Sequence, residues 1–371
     1  MIEPAKRVSV IELSQIRKMF EAGNNPNAIN LGLGEPDFNV PENIKEAMKK
    51  AIDEDYSHYT PNKGLPELQE SIVKKLDRDN NIKTEPENIT VTSGASEALY
   101  ICADTFFDIG DEVILPNPSF LSYKACIEVC GSVPVFADCY MENDFKLKAE
   151  DVTEKVTEKT KAIILNSPSN PTGAVMDKED IKALADLATD ENILIISDEI
   201  YEKIIYDKKH ISPGAYSENV ITVNGFSKSH AMTGLRVGYI NANKEIFNDE
   251  TLKIHQYAVA CASSVSQKGA IEALDGPQDS VKKMVKEYKR RRDLITSSLN
   301  SLGYPTPKAE GAFYVFPQID NPMDFVKKAG QAGVITVPGA AFGPNGENHV
   351  RMSYANSYEN IKIAMERLEN I

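Results

Sequence analysis

The chain has 371 residues, 42% of them hydrophobic and 26% charged, and carries a net charge of −14. That length suffices for two domains, or for one large domain with an appendage. The acidic balance leaves no basic stripe to displace counterions, which argues against nucleic acid as a partner. No apolar run reaches the ~18 residues that a membrane helix needs. The five cysteines (Cys102, Cys126, Cys130, Cys139 and Cys261) form no CxxC pair and no zinc-like spacing with histidine. Cys126 and Cys130 are four apart and could share a helix face; buried reduced thiols are expected there, and no metal site. The first residues, "MIEPAKRVSVIELSQ", lack a signal-peptide apolar core, so a cytoplasmic protein is expected.

Taken in chain order, short β-rich runs alternate with amphipathic stretches. The runs are "NITVTS" (88–93), "DEVILP" (111–116), "VPVFA" (133–137), "KAIILNS" (161–167), "ILIIS" (193–197), "VITVN" (220–224) and "RVGYI" (236–240). Runs that do not alternate apolar with polar belong to strands buried on both faces, and strands alternating with helices make a mostly parallel sheet. The expectation is an α/β domain of about seven strands over residues 45–275. A long helix around 277–300 follows, then short strands "AFYVF", "VITV" and "HVRMS". Residues 276–371, joined by the N-terminal arm 1–44, read as a smaller α+β domain. The basic run "KRRR" at 289–292 lies in a charged helical pattern and reads as a solvated helix face.

In a parallel sheet, ligands bind beyond the carboxyl ends of the strands, so the residues after each run matter most. After "ITVT" comes "SGASEAL", a glycine turn opening a helix, whose free N–H groups suit a phosphate. After "VILP" comes "NPSF" with Phe120, and after "IILN" the Pro- and Asn-rich "SPSNPTG". Asp198 ends an apolar strand, where a carboxylate is costly unless paired or well hydrogen-bonded. Lys228 follows "VITVN" in "GFSK", and Arg236 opens the next run. A phosphate turn, a flat aromatic, an amide, a carboxylate with Tyr201, and a lysine converge. Pyridoxal 5′-phosphate uses this whole set, its aldehyde bonding to the amine.

With "LGLGEPDF" (31–38), "HYTPNKG" (58–64), "TSGASEAL" (92–99), "PNPSF" (116–120), "NSPSNPTG" (166–173), "SDEIY" (197–201), "GFSKSHAMTGLRVGY" (225–239), "EGAFYVFP" (310–317) and "HVRMSYA" (349–355), the sequence resembles the fold-type I, class I/II aminotransferases along essentially its whole length. It looks nearest to their archaeal and bacterial aspartate and aromatic branch. The resemblance implies an enzyme that passes an amino group from an L-amino acid to a 2-oxo acid such as 2-oxoglutarate in a ping-pong cycle. Lys228 would bond the cofactor's aldehyde and then carry the proton. Asp198 would pair with the ring nitrogen, with its carboxyl kept ionised by the pyridinium. Tyr201 and Asn170 would hydrogen-bond the ring's phenolic oxygen, and Phe120 would stack on the ring.

The same resemblance assigns the phosphate to the N–H groups of Ala95 and Ser96, the Ser227 hydroxyl and Arg236. Tyr59 would reach the phosphate of a neighbouring subunit, implying a homodimer with its sites at the interface. Arg351 would hold the substrate α-carboxylate in a two-pronged grip, with the backbone of Gly34 closing over it. The Asn-Pro bonds at 117–118 and 170–171 would be cis. The chain departs from the family at Gly225, where many relatives have Ser or Thr, at Leu235, and at Phe120 in place of Trp or Tyr. The segment "KIHQYAVACASS" (253–264) has no arginine to read a second substrate carboxylate; packing against the N-terminal segment and Tyr123 would instead suit a neutral or aromatic side chain. Alternatives on the same scaffold are a C–S lyase and an aminocyclopropane-forming synthase. A regulator role is not expected, since no helix-turn-helix module precedes the resemblance.

Overall fold

The computed structural model describes residues 4–9, 11, 27–242 and 245–371. Its strands begin with β1 (Ile29–Asn30), then β2 (Ile89–Thr92), β3 (Glu112–Asn117), β4 (Val133–Asp138), β5 (Thr160–Asn166), β6 (Leu194–Asp198), β7 (Val220–Gly225) and β8 (Gly238–Ala242). The seven strands β2 to β8 form one sheet in the order β2-β8-β7-β6-β5-β3-β4. β3 to β7 are parallel, and β8 runs antiparallel to both its neighbours. Every residue of β6 and β7 is buried, as expected where helices cover both faces. The last strand starts at Gly238 rather than 236, because Arg236 has a left-handed φ of 49° that no extended ladder accepts.

Two-residue alternation divides the core between the faces. Ile163 and Ile195 face helix Lys178–Asp190 through Ile181 and Leu184. Ile164 and Ile196 face helices Ala95–Phe106 and Leu121–Val129 through Ile101 and Ile127. After β3 the chain adds β4 on one side, then returns to add β5, β6 and β7 on the other. A crevice opens at such a reversal, above the strand ends. The register aligns those ends, with Asn166 opposite Asp198 and Asp198 opposite Val223.

A second core gathers Leu31, Tyr288, Phe313, Tyr354 and Ile361 around helices Asp279–Ser301 and Tyr358–Leu368. Its strands are β9 (Tyr314–Val315), β10 (Val334–Ile335), β11 (Val337–Pro338) and β12 (Val350–Ser353). The single run expected at 334–337 is split: β10 pairs with β1 in parallel, while β11 pairs with β12. The expected five-residue strand at "AFYVF" shortens to two, paired with β12. Of the N-terminal arm, residues 1–3, 10 and 12–26 lie outside the described residues.

The basic run corrects the expectation drawn from it. Arg290 is exposed, but Arg291 and Arg292 are only 6% and 1% exposed. Arg291 grips Asp37 at 2.7 and 2.9 Å. Arg292 donates to the Ala309 carbonyl at 3.0 Å and lies over the Tyr206 ring. Successive helix positions are ~100° apart, so four adjacent residues cannot share one wet face of a helix packed along its length. Cys126 and Cys130 also depart from the burial expected of them. Cys102 and Cys139 are buried, whereas Cys126, Cys130 and Cys261 are half-buried.

Candidate active site

A cavity of about 340 Å³ lies over the ends of β5, β6 and β7. Gly34, Ala95, Ser96, Phe120, Asn170 and Asp198 line it, and so do Tyr201, Ser227, Lys228, Arg236 and Arg351. These are the residues singled out in the sequence, with one exception. Tyr59 is 88% exposed and borders a separate surface depression with His58, Cys261 and Ser264.

At one end, β2 runs into a turn at Gly94, whose φ is 83°, and helix Ala95–Phe106 begins. A β-carbon on Gly94 would sit 2.6 Å from Arg236 Nη2, so both backbone and guanidinium require glycine there. Gly238 is needed for the same reason, since a β-carbon would come within 2.7 Å of the Ala95 nitrogen. Free N–H groups at this helix start and the Arg236 guanidinium thus share one small space. Arg236 donates to the Thr233 carbonyl at 2.8 Å, and among the described residues no carboxylate pairs with it. Gly225 has its own packing reason: a β-carbon would meet Gly238 Cα and Val237 O at 3.0 Å.

Asp198, 4% exposed, accepts a hydrogen bond from Tyr123 Oη at 2.8 Å and one from the Ile200 N–H at 3.2 Å. Burial pushes its carboxyl up to about 6, against the pull of those two donors and Lys228. The low value expected from a pyridinium partner is therefore not supplied by the chain itself. Lys228 donates to the Gly34 carbonyl at 2.6 Å. Burial lowers its ammonium to about 8, with Glu35 acting in the opposite direction. A lysine near neutrality is suited to nucleophilic and proton-transfer work.

Arg351 comes from β12, where it pairs in register with Val337. It is 2% exposed and lies between the Tyr314 and Phe342 rings, at 4.6 and 4.7 Å from their centroids. It donates to Asn170 Oδ1 at 2.9 Å and to the Gly32 carbonyl at 2.6 Å, while its Nε has no partner. No described carboxylate pairs with it, and burial lowers its pKa. A buried, uncompensated guanidinium costs about 3–5 kcal/mol unless an anion meets it.

Sequence reasoning missed several lining residues. Tyr314 shares a hydrogen bond of 2.8 Å with Tyr201 Oη, and its hydroxyl blocks any β-carbon at Gly34. Nothing in "AFYVF" separates this tyrosine from a core aromatic. Tyr123 was considered only as packing for a substrate side chain; its hydroxyl instead serves Asp198. It stands three residues after Phe120, one helical turn on, and that spacing could have signalled a shared face. Asn166 spans the strand ends through the Asp198 carbonyl and the Asn170 N–H, at 3.0 and 2.9 Å. Glu35 and Thr233 hydrogen-bond to each other and line the cavity. Both Asn-Pro bonds expected as cis are cis, and Ser167–Pro168 is a third.

Residues 26–368 match the profile of the family described as Aminotransferase class I and II. The chain belongs to that family. It is 47% identical to a probable aspartate aminotransferase of Methanocaldococcus jannaschii, over 99% of both chains. Among solved structures, it resembles an aromatic aminotransferase from Pyrococcus horikoshii with a TM-score of 0.90 and 41% identity, over 96% of this chain and 98% of that one. It also resembles the aspartate aminotransferase of Thermus thermophilus solved with maleate, with a TM-score of 0.95 and 34% identity over all of both chains. The protein is thus an aminotransferase of the fold expected from its strand pattern, and its reaction is amino-group transfer. Pyridoxal 5′-phosphate is the cofactor of this family.

The described residues also contain a compact group outside the cavity. Ligand atoms of Glu199, Glu202 and His210 lie within 4.8 Å of one another. A metal has no call there, since the Lys75 ammonium already pairs with Glu202 and neutral donors fill the Glu199 carboxylate.

Proposed function

We propose that this aminotransferase holds pyridoxal 5′-phosphate in the 340 Å³ cavity and uses aspartate as its amino donor with 2-oxoglutarate as acceptor. The donor set fits the cofactor. Helix-start N–H groups at Ala95 and Ser96, with Ser227 and Arg236, suit a phosphate. Asp198 suits a protonated ring nitrogen, whose positive charge would draw its carboxyl down from about 6. Phe120 offers a flat face, and Tyr201 and Asn170 offer donors to a phenolic oxygen. When bound, the cofactor supplies the electron sink that makes the substrate's Cα–H acidic.

The protein's own contributions follow from its charges. Lys228, lowered to about 8, is readily available in its neutral form to bond an aldehyde and later to take and return a proton at the substrate carbon. Arg351, fixed between two rings, orients the α-carboxylate, and the Gly34 carbonyl accepts a hydrogen bond from the free Lys228 amine. The single observation that carries the reading is Arg351: a buried cation, bonded to two neutral oxygens, with no carboxylate of its own.

Aspartate as donor rests on the naming of the 47%-identical relative. Among the described residues, Lys228, Arg236 and Arg351 are the cations lining the cavity. A second substrate carboxylate must therefore be met by hydroxyls or by another subunit. We infer a homodimer in which the exposed Tyr59 reaches the partner's phosphate. We also infer two domains, 45–275 and 1–44 with 276–371, and a cytoplasmic site of action suited to five unpaired thiols. Among the described residues, no helix is long and apolar enough to cross a membrane.

A half-reaction screen tests the substrate. Holoenzyme is mixed with single amino acids, and conversion of the cofactor to its pyridoxamine form is followed by absorbance. Aspartate should react fastest; phenylalanine or tyrosine reacting tenfold faster would move the assignment to aromatic substrates. A fully active monomer in sedimentation would remove the cross-subunit role of Tyr59.

A further inference from the structure

The turn that ends β6 carries two sets of groups on opposite sides. Asp198 and Tyr201 face the cavity. Glu199 and Glu202 face away from it, into a polar cluster on the far side of the strand end. Glu199 is wholly buried. Its carboxylate lies within hydrogen-bond reach of four side chains: Ser197 Oγ at 3.0 Å, Ser212 Oγ at 2.6 Å, Asn80 Nδ2 at 2.9 Å and His210 Nε2 at 2.9 Å.

The two glutamates are not equivalent. Glu202 has a cation of its own in Lys75, and the two are bridged by Asn80, which takes a bond from Lys75 at 2.7 Å and gives one to Glu202 at 2.7 Å. Lys203 and Arg78, which also lie near Glu202, are both paired with Asp79, at 2.5 and 2.9 Å. From β8, the buried Tyr239 phenol feels both glutamates, which add to burial in raising its pKa. Glu199 is thus met by two hydroxyls, an amide and one imidazole, with no lysine or arginine of its own. Its carboxylate stands one residue from Asp198, anchored by partners from three separate segments.

Resting on the reading of the cavity as a cofactor site, we propose that Glu199 is a positioning residue of the active site. From behind the β6 turn it fixes Asp198 and Tyr201, and it sets a second negative charge behind Asp198 that favours a proton on the ring nitrogen. Like charges raise each other's proton affinity, and Glu199 acts on Asp198 in that direction. A cluster serving the fold alone needs hydrogen bonds here, and a buried carboxylate with no lysine or arginine of its own is a costly way to supply them.

The test measures the affinity of apoprotein for pyridoxal 5′-phosphate as a function of pH, by fluorescence titration, alongside apoprotein melting temperature. Glu199→Gln keeps the shape and removes the charge. The acid-side midpoint of cofactor affinity should fall by roughly half a pH unit relative to wild type. His210→Lys leaves Glu199 in place but sets a permanent cation against it, whereas His210→Gln preserves only a hydrogen-bond donor. The His210→Lys midpoint should lie below that of His210→Gln, so this pair carries the test even if Glu199→Gln does not fold. Kinetics of the Glu199→Gln holoenzyme should show a lower kcat at unchanged KM, since Arg351 is untouched. Superimposable pH profiles, or a downward shift in His210→Gln equal to that of His210→Lys, would overturn the proposal. Failure of wild type itself to bind the cofactor or to transaminate would instead sink the reading of the cavity.

Discussion

The two sides of the β6 turn bury polar groups in opposite ways. Behind the turn, Lys75 meets Glu202, and Glu199 is surrounded by donors within the chain. In the cavity, Arg351 has no carboxylate, Asp198 is pushed up to about 6, and Lys228 is lowered to about 8. Folding supplies the carboxylates of the first region with partners and leaves the second electrostatically unfinished. Groups arranged against their own solvation cost stability, and they persist where a ligand completes them.

The largest effect should come from Lys228→Ala, which removes the amine that nothing else in the cavity can replace. Turnover should drop by at least about 10⁴-fold, and the absorbance of the lysine-bound cofactor should vanish in stopped-flow records. On the finished side, Lys75→Met strands Glu202 in a buried site. Urea unfolding should show a loss of about 3–5 kcal/mol, part of which returns in the Lys75→Met/Glu202→Gln double variant. Equal stability of wild type and Lys75→Met would break the contrast between the regions.

Arg351→Ala should lower kcat/KM for the amino acid by on the order of 10²-fold, with cofactor affinity retained. Arg351→Lys should recover little, because an ammonium cannot copy the two-pronged geometry between the rings. Loss of cofactor in place of substrate would mean that Arg351 and Arg236 exchange roles.

The smallest expected effect has an unusual sign. The Asp198 carboxyl is raised in the folded chain from 3.8 to about 6, so the folded apoprotein binds its proton more tightly than the unfolded chain does. The penalty is fully present above about pH 6 and fades as pH falls towards 4. Asp198→Asn should therefore stabilise the apoprotein at pH 7.5, by on the order of 2 kcal/mol, while abolishing efficient transamination. The gain should shrink at pH 4.5 in the same unfolding experiment. A destabilised Asp198→Asn apoprotein at pH 7.5 would show that Tyr123 and Ile200 already compensate the burial.

Much of the cavity was legible because its residues follow strand ends, and a parallel sheet brings those ends together whatever the loops do. Lys228, Asp198 and Phe120 were found in that way, one per loop. Arg351 came from the resemblance, since a lone arginine in a short strand carries no signal of its own. Tyr314 and Tyr123 were hidden among core aromatics, and Arg291 and Arg292 among apparent surface charges. Side-chain direction and pairing decide those cases, and neither is written in local pattern.

The sequence by itself determined the seven-strand sheet, its mostly parallel sense and the loops that bear chemistry, because unbroken apolar runs and glycine turns are local properties. Tertiary structure alone decided where charge is left over. Whether an arginine is sandwiched between Tyr314 and Phe342 or paired with Asp37, and whether a glutamate gets Lys75 or hydroxyls, an amide and an imidazole, depends on partners up to hundreds of residues away in the chain. Those long-range pairings separate the site from the scaffold that holds it.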